Sequence, residues 1–125
     1  MPAVPAQPQR GEIWFLKLPS DPPDKNPRPV VIVSPDERNS HPRADTVLVV
    51  PLSTTLKESP THIKMQSGET GLPEPCMIQG ENISTVRKQS LQPPKSPLRK
   101  LSETKVRAIA GCVVRGMGFL PADLA

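Results

Sequence analysis

Apolar residues in this chain come in short clusters separated by polar, proline-rich stretches. The first cluster is EIWFLKL at 12–18. Strand alternation puts Ile13, Phe15 and Lys17 on one face and Trp14, Leu16 and Leu18 on the other, so both faces of this strand are expected to be covered. Residues 30–33 (VVIV) are four consecutive β-branched residues, a short strand buried on both sides and ended by Ser34-Pro35. Residues 46–52 form a strand of the same type, with Pro51 near its end as an edge or bulge position. Shorter strands are expected at 62–66, followed by an SGETG turn, and at 75–79 and 82–87. The segments 19–29 and 36–45 read as loops, and Pro93, Pro94 and Pro97 interrupt regular structure over 89–97. No internal repeat is present.

A helix is expected only after residue 101. Ser102 can accept a bond from an orphan backbone N–H, and Glu103 suits the positive end of a helix. Val106, Ile109, Ala110, Val113 and Met117 then follow the 3.6-residue period and predict one packed face. Gly111 weakens this helix, while Gly116 and Gly118 offer two places to stop it. The pattern predicts a mostly β domain, a small and highly curved antiparallel sheet with a C-terminal α-helix.

Composition narrows the class. The 125 residues suit one domain, and 18 prolines argue against long helices before the last segment. The opening MPAVPAQPQR has no continuous apolar run. It reads as a disordered tail over 1–9 rather than a secretion or membrane signal, which makes the cytoplasm the expected location. Residues 121–125 read as a short C-terminal tail. Cys76 and Cys112 sit among apolar neighbours without zinc-like spacing, so two buried free thiols are expected. The formal charge of +4 is unevenly spread. Residues 87–107 carry seven basic side chains (Arg87, Lys88, Lys95, Arg99, Lys100, Lys105 and Arg107) against Glu103 alone. Such a segment can attract a phosphate backbone or an acidic protein, or serve simply as a solvated face.

Few residues carry obvious chemistry. Neither His41 nor His62 belongs to a metal-binding pattern, and loop solvation and surface placement are their plain readings. There is no phosphate-cradling glycine loop and no GxSxG. With Trp14, Phe15 and Phe119 as the only aromatics, extensive base stacking is unavailable. Arg28 stands out because it lies between Pro27 and Pro29, where a polar loop meets a buried strand. A guanidinium on such stiff flanks can stabilise charge growing on a phosphoryl oxygen, or be clamped by a carboxylate. Ser53, Thr54 and Thr55 follow the VLVVPL strand, where hydroxyls can bind phosphate or cap a turn.

In order, RGEIWFLKL (10–18), RPVVIVSPD (28–36) with Asn39 after it, VLVVPLST (47–54), THIKM (61–65), Gly71-Leu72, ENISTVRK (81–88) and the Leu101-Ser102 helix entry resemble the MazF/PemK family of toxin endoribonucleases over about 10–120. The resemblance implies an SH3-like barrel of five to seven short strands with a C-terminal helix, a homodimer, and neutralisation by a cognate antitoxin. It implies metal-independent cleavage of single-stranded RNA, as by an mRNA interferase, leaving 2′,3′-cyclic phosphate and 5′-hydroxyl ends without a cofactor. Arg28 matches the family's catalytic arginine, and Ser53 a position where threonine is usual. Thr54 and Glu81 are auxiliary candidates. Lys25, Asn26, Arg38, Asn39, Arg43, Lys57, Arg87 and Lys88 are candidate RNA contacts, on the expectation that loops 19–27, 36–45 and 54–60 open to one side. Ser84 and Arg87 depart from the common pattern, which has arginine and aspartate there. A gyrase-binding toxin of the same fold, or a weakened member that binds antitoxin or RNA, are the alternatives.

Overall fold

A computed structural model describes residues 7–94 and 97–124. Seven short strands follow along the chain: β1 (Ile13–Leu16), β2 (Arg28–Ile32), β3 (Thr46–Ser53), β4 (His62–Met65), β5 (Cys76–Gln79), β6 (Ser84–Arg87) and β7 (Leu91–Gln92). A single helical turn, α1 (Asp36–Asn39), lies between β2 and β3, and α2 (Glu103–Gly116) follows the last strand. All pairings are antiparallel, in the order β4-β5-β3-β2-β1-β7, with β6 also on β3. A 3-10 turn, Lys88–Ser90, carries the chain from β6 on one flank to β7 on the other. Backbone bonds fasten both ends of that crossing, Lys88 N to Asp45 O (2.8 Å) and Lys17 N to Ser90 O (3.0 Å). The sheet is thereby curled around itself.

The curl explains why the apolar runs lack alternation. One cluster fills the inside and comprises Trp14, Leu16, Val30, Ile32, Val47, Val49, Val86 and Leu91. The other, built on Ile13, Val31, Val50, Leu52, Met65, Cys76 and Ile78, lies on the outer face and meets Leu101 and Ile109. Central strands are therefore buried on both sides, and β1 divides Ile13 from Trp14 and Leu16 as its alternation predicts.

Pro51 has a specific place. β3 pairs with β6 up to Val49 and with β5 from Leu52, so the strand changes partner across residues 50–51. Leu48 O accepts from Val33 N of the β2 side. Backbone polar groups alternate between strand edges, so the nitrogen of Pro51 faces the gap between β6 and β5, where no ladder donor is required.

Helix α2 begins as expected, with Lys105 N donating to Ser102 Oγ at 3.2 Å. Its buried face is Val106, Ile109 and Cys112, with Val113 partly covered. Ala110 is exposed and Met117 is 68% exposed, so both fall outside the face that the periodicity predicted. The cause is the close approach of the Gly80–Asn82 turn. A Cβ on Gly80 would lie 2.6 Å from Cys112 Cβ, which centres the contact on Cys112. Gly118, at φ +90°, ends the helix.

Other expectations need revision. The 36–45 loop contains the α1 turn, because Asn39 is tied to Ser34 and Asp36. The 89–97 segment is not wholly irregular, since Leu91 and Gln92 pair with Leu16 and Phe15. Pro8 is buried and Gln9 accepts from Lys100 Nζ, so order reaches into the expected tail, and its first six residues lie outside the described ones. Pro121–Leu124 form a 3-10 turn against α2. Lys95 and Ala125 are outside the described residues. Cys76 and Cys112 are buried and unpaired, and burial pushes both thiols up. No helix among the described residues is long and apolar enough to cross a membrane.

Candidate active site

Arg28 and Ser53 stand at the same rim of the barrel. The β2–β3 register runs Ile32↔Val49, Val31↔Val50 and Val30↔Pro51. Continued by two residues, it sets Arg28 opposite Ser53. Both share a face with Val30, which lines the inside, since residues two apart point the same way. The recorded ladder stops short of them for a chemical reason: the nitrogen of Pro29 faces β3 and has no hydrogen to give. Each residue is instead held by its other neighbour, Arg28 by Leu16 and Ser53 by Met77. The strands are thus released from one another just where the continued register sets Arg28 opposite Ser53.

Arg28 is half-open to solvent, its side chain 43% exposed. Its nearest counter-charge is Asp21, with Nη2 3.6 Å from Oδ2. That is an ion-pair contact, too long for a hydrogen bond, so the guanidinium keeps its donors for another acceptor. Ser53 Oγ accepts the Thr55 N–H at 3.1 Å, which combines the turn-capping reading with a free hydroxyl proton. Thr54, next in the chain, is exposed.

The same register extends sideways. Ser53 pairs with Met77, and Met77 with Lys64, which gives one transverse row: Leu91, Leu16, Arg28, Ser53, Met77 and Lys64. Three strand spacings separate Arg28 from the exposed Lys64, about 14 Å. Lys64 was not singled out from the sequence. The signal was available, since Ile63 and Met65 turn to the outer cluster and leave Lys64 on the opposite face.

Glu81 and His62 form a separate unit. His62 Nε2 is 2.6 Å from Glu81 Oε1, and Nδ1 is 2.6 Å from Lys57 O. The ring is 5% exposed, so the surface reading from the sequence is incorrect. The hydrogen bond to the Lys57 carbonyl, then that to Glu81, raises the histidine pKa above its ordinary 6.5, against the effect of burial. Burial pushes Glu81 up, but bonds from Thr61 and His62 together hold it below its ordinary 4.5. Both ring nitrogens are occupied. The pair therefore fastens the 54–61 connection to the Gly80–Asn82 turn, and Asp21, not Glu81, is the carboxylate at Arg28.

The expected RNA contacts divide between two ends of the barrel. Loops 19–27 and 54–60 flank Arg28 and Ser53, and they bring Lys25, Asn26 and Lys57, all exposed. Loop 36–45 joins the far end of β2 to the start of β3, so the three loops do not open to one side. Arg43 is exposed at that far rim, and Arg38 Nη2 is bonded to Thr46 Oγ1 there. Asn39 is 1% exposed and bonded to Ser34, which removes it from any contact surface. Lys88 is 8% exposed, with Nζ donating to His41 O. Arg87 pairs with Thr46, seven residues along β3 from Ser53, a strand length of roughly 23 Å. Ser84 is exposed opposite Val49, with Oγ donating to Asn82 O.

A cavity of about 440 Å³ lies on the outer side of β1, with Ile13, Phe15, Leu72 and Pro97 among its apolar walls. Asn26 and Pro27, which lead into Arg28 at the start of β2, line it too.

Comparison with known proteins agrees with this fold. Residues 9–115 match a family model described as PemK-like, MazF-like toxin of type II toxin-antitoxin system. A probable endoribonuclease, MazF5 of Mycobacterium tuberculosis, is 28% identical over 104 residues, which cover 83% of this chain and 87% of the relative. Among solved structures, an endoribonuclease from a mycobacterial species is 25% identical with a TM-score of 0.69, over 93% of this chain and 95% of that one. MazF from Deinococcus radiodurans shares the fold at 14% identity and a TM-score of 0.69, over 91% of this chain and 99% of that one.

Proposed function

The chain belongs to the PemK-like, MazF-like toxins of type II toxin–antitoxin systems, and from that premise we propose that it is an endoribonuclease whose reaction centre is the Arg28–Ser53 rim. The observation that carries this reading is the β2–β3 register, which, continued two residues beyond Val30↔Pro51, sets Arg28 opposite Ser53 where Pro29 leaves the two strands without a ladder bond to each other. A phosphodiester lying across them meets a fixed positive charge on one side and a hydroxyl donor on the other.

The bond is cut by the RNA itself. The ribose 2′-oxygen attacks phosphorus, the bond from phosphorus to the 5′-oxygen breaks, and the products are a 2′,3′-cyclic phosphate and a 5′-hydroxyl. The proton lost from the 2′-hydroxyl and that gained by the 5′-oxygen are exchanged with water, and no water is consumed. Arg28 stabilises charge on the phosphoryl oxygens. Ser53 donates its free proton to a phosphate oxygen and fixes the line of attack. It is not the base, since a neutral serine hydroxyl is too weakly basic to take the 2′-hydroxyl proton unaided. Lys57 and Lys64 hold the flanking backbone, and Asn26 faces the adjoining bases. The 36–45 loop is excluded from this reading by its place at the other rim.

A second mycobacterial endoribonuclease of this fold, solved in complex with its cognate antitoxin, supports an antitoxin as the second partner. Such a partner brings an acidic, partly disordered segment to the same rim. The homodimer and a cytoplasmic site of action belong to the same reading. The test is end-mapping of RNA fragments from the wild type and Arg28→Ala, beside DNA of the same sequence. Cyclic phosphate ends from the wild type, intact RNA with the variant and intact DNA are expected. Untouched RNA with the wild type, or equal cleavage by the variant, overturns the assignment.

A further inference from the structure

The connection from β1 to β2 is an eleven-residue loop, 17–27, rich in exposed positions, yet it holds a carboxylate that is only 8% exposed. That carboxylate is Asp21. Its Oδ2 accepts from Leu18 N at 2.9 Å, and its own N–H donates to Leu18 O at 3.0 Å, a reciprocal turn that fixes the side chain. Oδ1 lies 3.6 Å from Lys25 Nζ and Oδ2 lies 3.6 Å from Arg28 Nη2. Lys17 fastens the loop from inside by donating to Pro22 O at 2.9 Å and also to Lys25 O. Pro19, Pro22, Pro23 and Pro27 restrict the remaining backbone. A single carboxylate on a half-buried residue is thus aimed at a half-exposed arginine from a loop that is fastened to itself.

We propose that Asp21 is the positioning residue of Arg28, setting the direction of the guanidinium without consuming its hydrogen-bond donors. This rests on the reading of Arg28 as the group that meets the scissile phosphate. The length of the contact matters: an ion pair at 3.6 Å biases the side-chain rotamer but leaves the N–H groups free to turn to a phosphate oxygen. A bidentate carboxylate would orient the arginine more firmly but would compete with substrate for its donors. Asp21 also places a negative charge beside the path of an anionic backbone, so it weakens binding of the ground state while it improves alignment. Removing its charge should therefore separate turnover from affinity.

Asp21→Asn keeps an oxygen for Leu18 N–H and removes only the charge. Asp24→Asn makes the same charge change on an exposed residue of the same loop and serves as control. Single-turnover cleavage by Asp21→Asn is expected to fall about 10- to 100-fold through lost alignment, with RNA binding no weaker than wild type. Asp24→Asn is expected to stay within about twofold of wild type in turnover, since Asp24 is exposed and, among the described residues, the ion pair of Arg28 is with Asp21. In parallel, the Arg28 side-chain NH resonance, followed by NMR in the free protein, should be ordered in the wild type and averaged in Asp21→Asn. Wild-type turnover in Asp21→Asn, or a loss confined to binding, overturns the proposal. If the wild type cuts no RNA, the nuclease reading fails, and an unchanged Arg28 signal in Asp21→Asn separately refutes positioning. If Asp21→Asn does not fold, Asp21→Glu decides, with a partial loss of turnover, intact binding and retained Arg28 order expected. Wild-type turnover or an unordered Arg28 in Asp21→Glu then refutes the proposal.

Discussion

Neutralising two lysines at one rim and two arginines at the other tests the polarity of the molecule. Lys57→Gln/Lys64→Gln changes exposed residues beside Ser53, whereas Arg43→Gln/Arg87→Gln changes exposed residues at the opposite end. All four side chains are on the surface, so each substitution should alter stability by no more than about 0.5 kcal/mol and both proteins should fold. Each phosphate contact to a single strand contributes about 0.7 to the slope of log affinity against log salt, so losing two lowers the slope by about 1.4. Between 50 and 200 mM salt the wild type should then lose roughly 7-fold more affinity than Lys57→Gln/Lys64→Gln. Arg43→Gln/Arg87→Gln should retain the wild-type slope. The assay is fluorescence anisotropy with an RNA oligonucleotide whose cleaved nucleotide is 2′-deoxy, so that binding is read without reaction. An equal fall in slope for the far-rim variant would refute the rim assignment, as would a wild-type slope in Lys57→Gln/Lys64→Gln.

Three further outcomes concern the framework. His62 has a raised pKa when folded, so its contribution is fully present below the unfolded value of 6.5 and is lost as pH rises through the folded pKa. The lowered Glu81 contributes above 4.5 and loses that contribution as pH falls through its folded pKa. The excess thermal stability of wild type over His62→Gln should accordingly shrink toward alkaline pH, and a pH-independent difference contradicts the ion pair. Gly80→Ala drives a Cβ to 2.6 Å from Cys112 Cβ and should cost about 1–3 kcal/mol in urea unfolding by displacing α2. An unchanged midpoint there would show that the turn and helix are not in close contact. Ser102→Ala removes the bond from Lys105 N and should cost about 1 kcal/mol, read as a lower Tm, whereas an unaltered Tm would mean that water caps the helix equally well.

The strands were legible where local chemistry decides them. The valine-rich runs that became β2 and β3 are buried on both faces, and nothing but a strand fits such short runs between prolines. Arg28 and Ser53 could be singled out because each ends such a run. Leu91 and Gln92 were not legible as β7, since two residues among prolines acquire their pairing from β1. The buried face of α2 depends on Gly80, more than twenty residues upstream, so periodicity alone chose Ala110 and Met117 wrongly. The sides to which loops open follow from strand connectivity, which hydrophobic spacing does not encode. Asp21 belongs to the same category: its role arises when a folded loop brings it to Arg28, and neither residue spacing nor composition signals the meeting.

The step in β3 between its two outer partners has a consequence for the chain as a material. Where the ladder of β6 has ended and that of β5 has not begun, a bare stretch of backbone would be a template for a strand from another molecule. Pro51 offers that stretch no donor, and its ring obstructs a flat approach. The opening that lets the sheet turn its corner is thus sealed against polymerisation by the residue that occupies it.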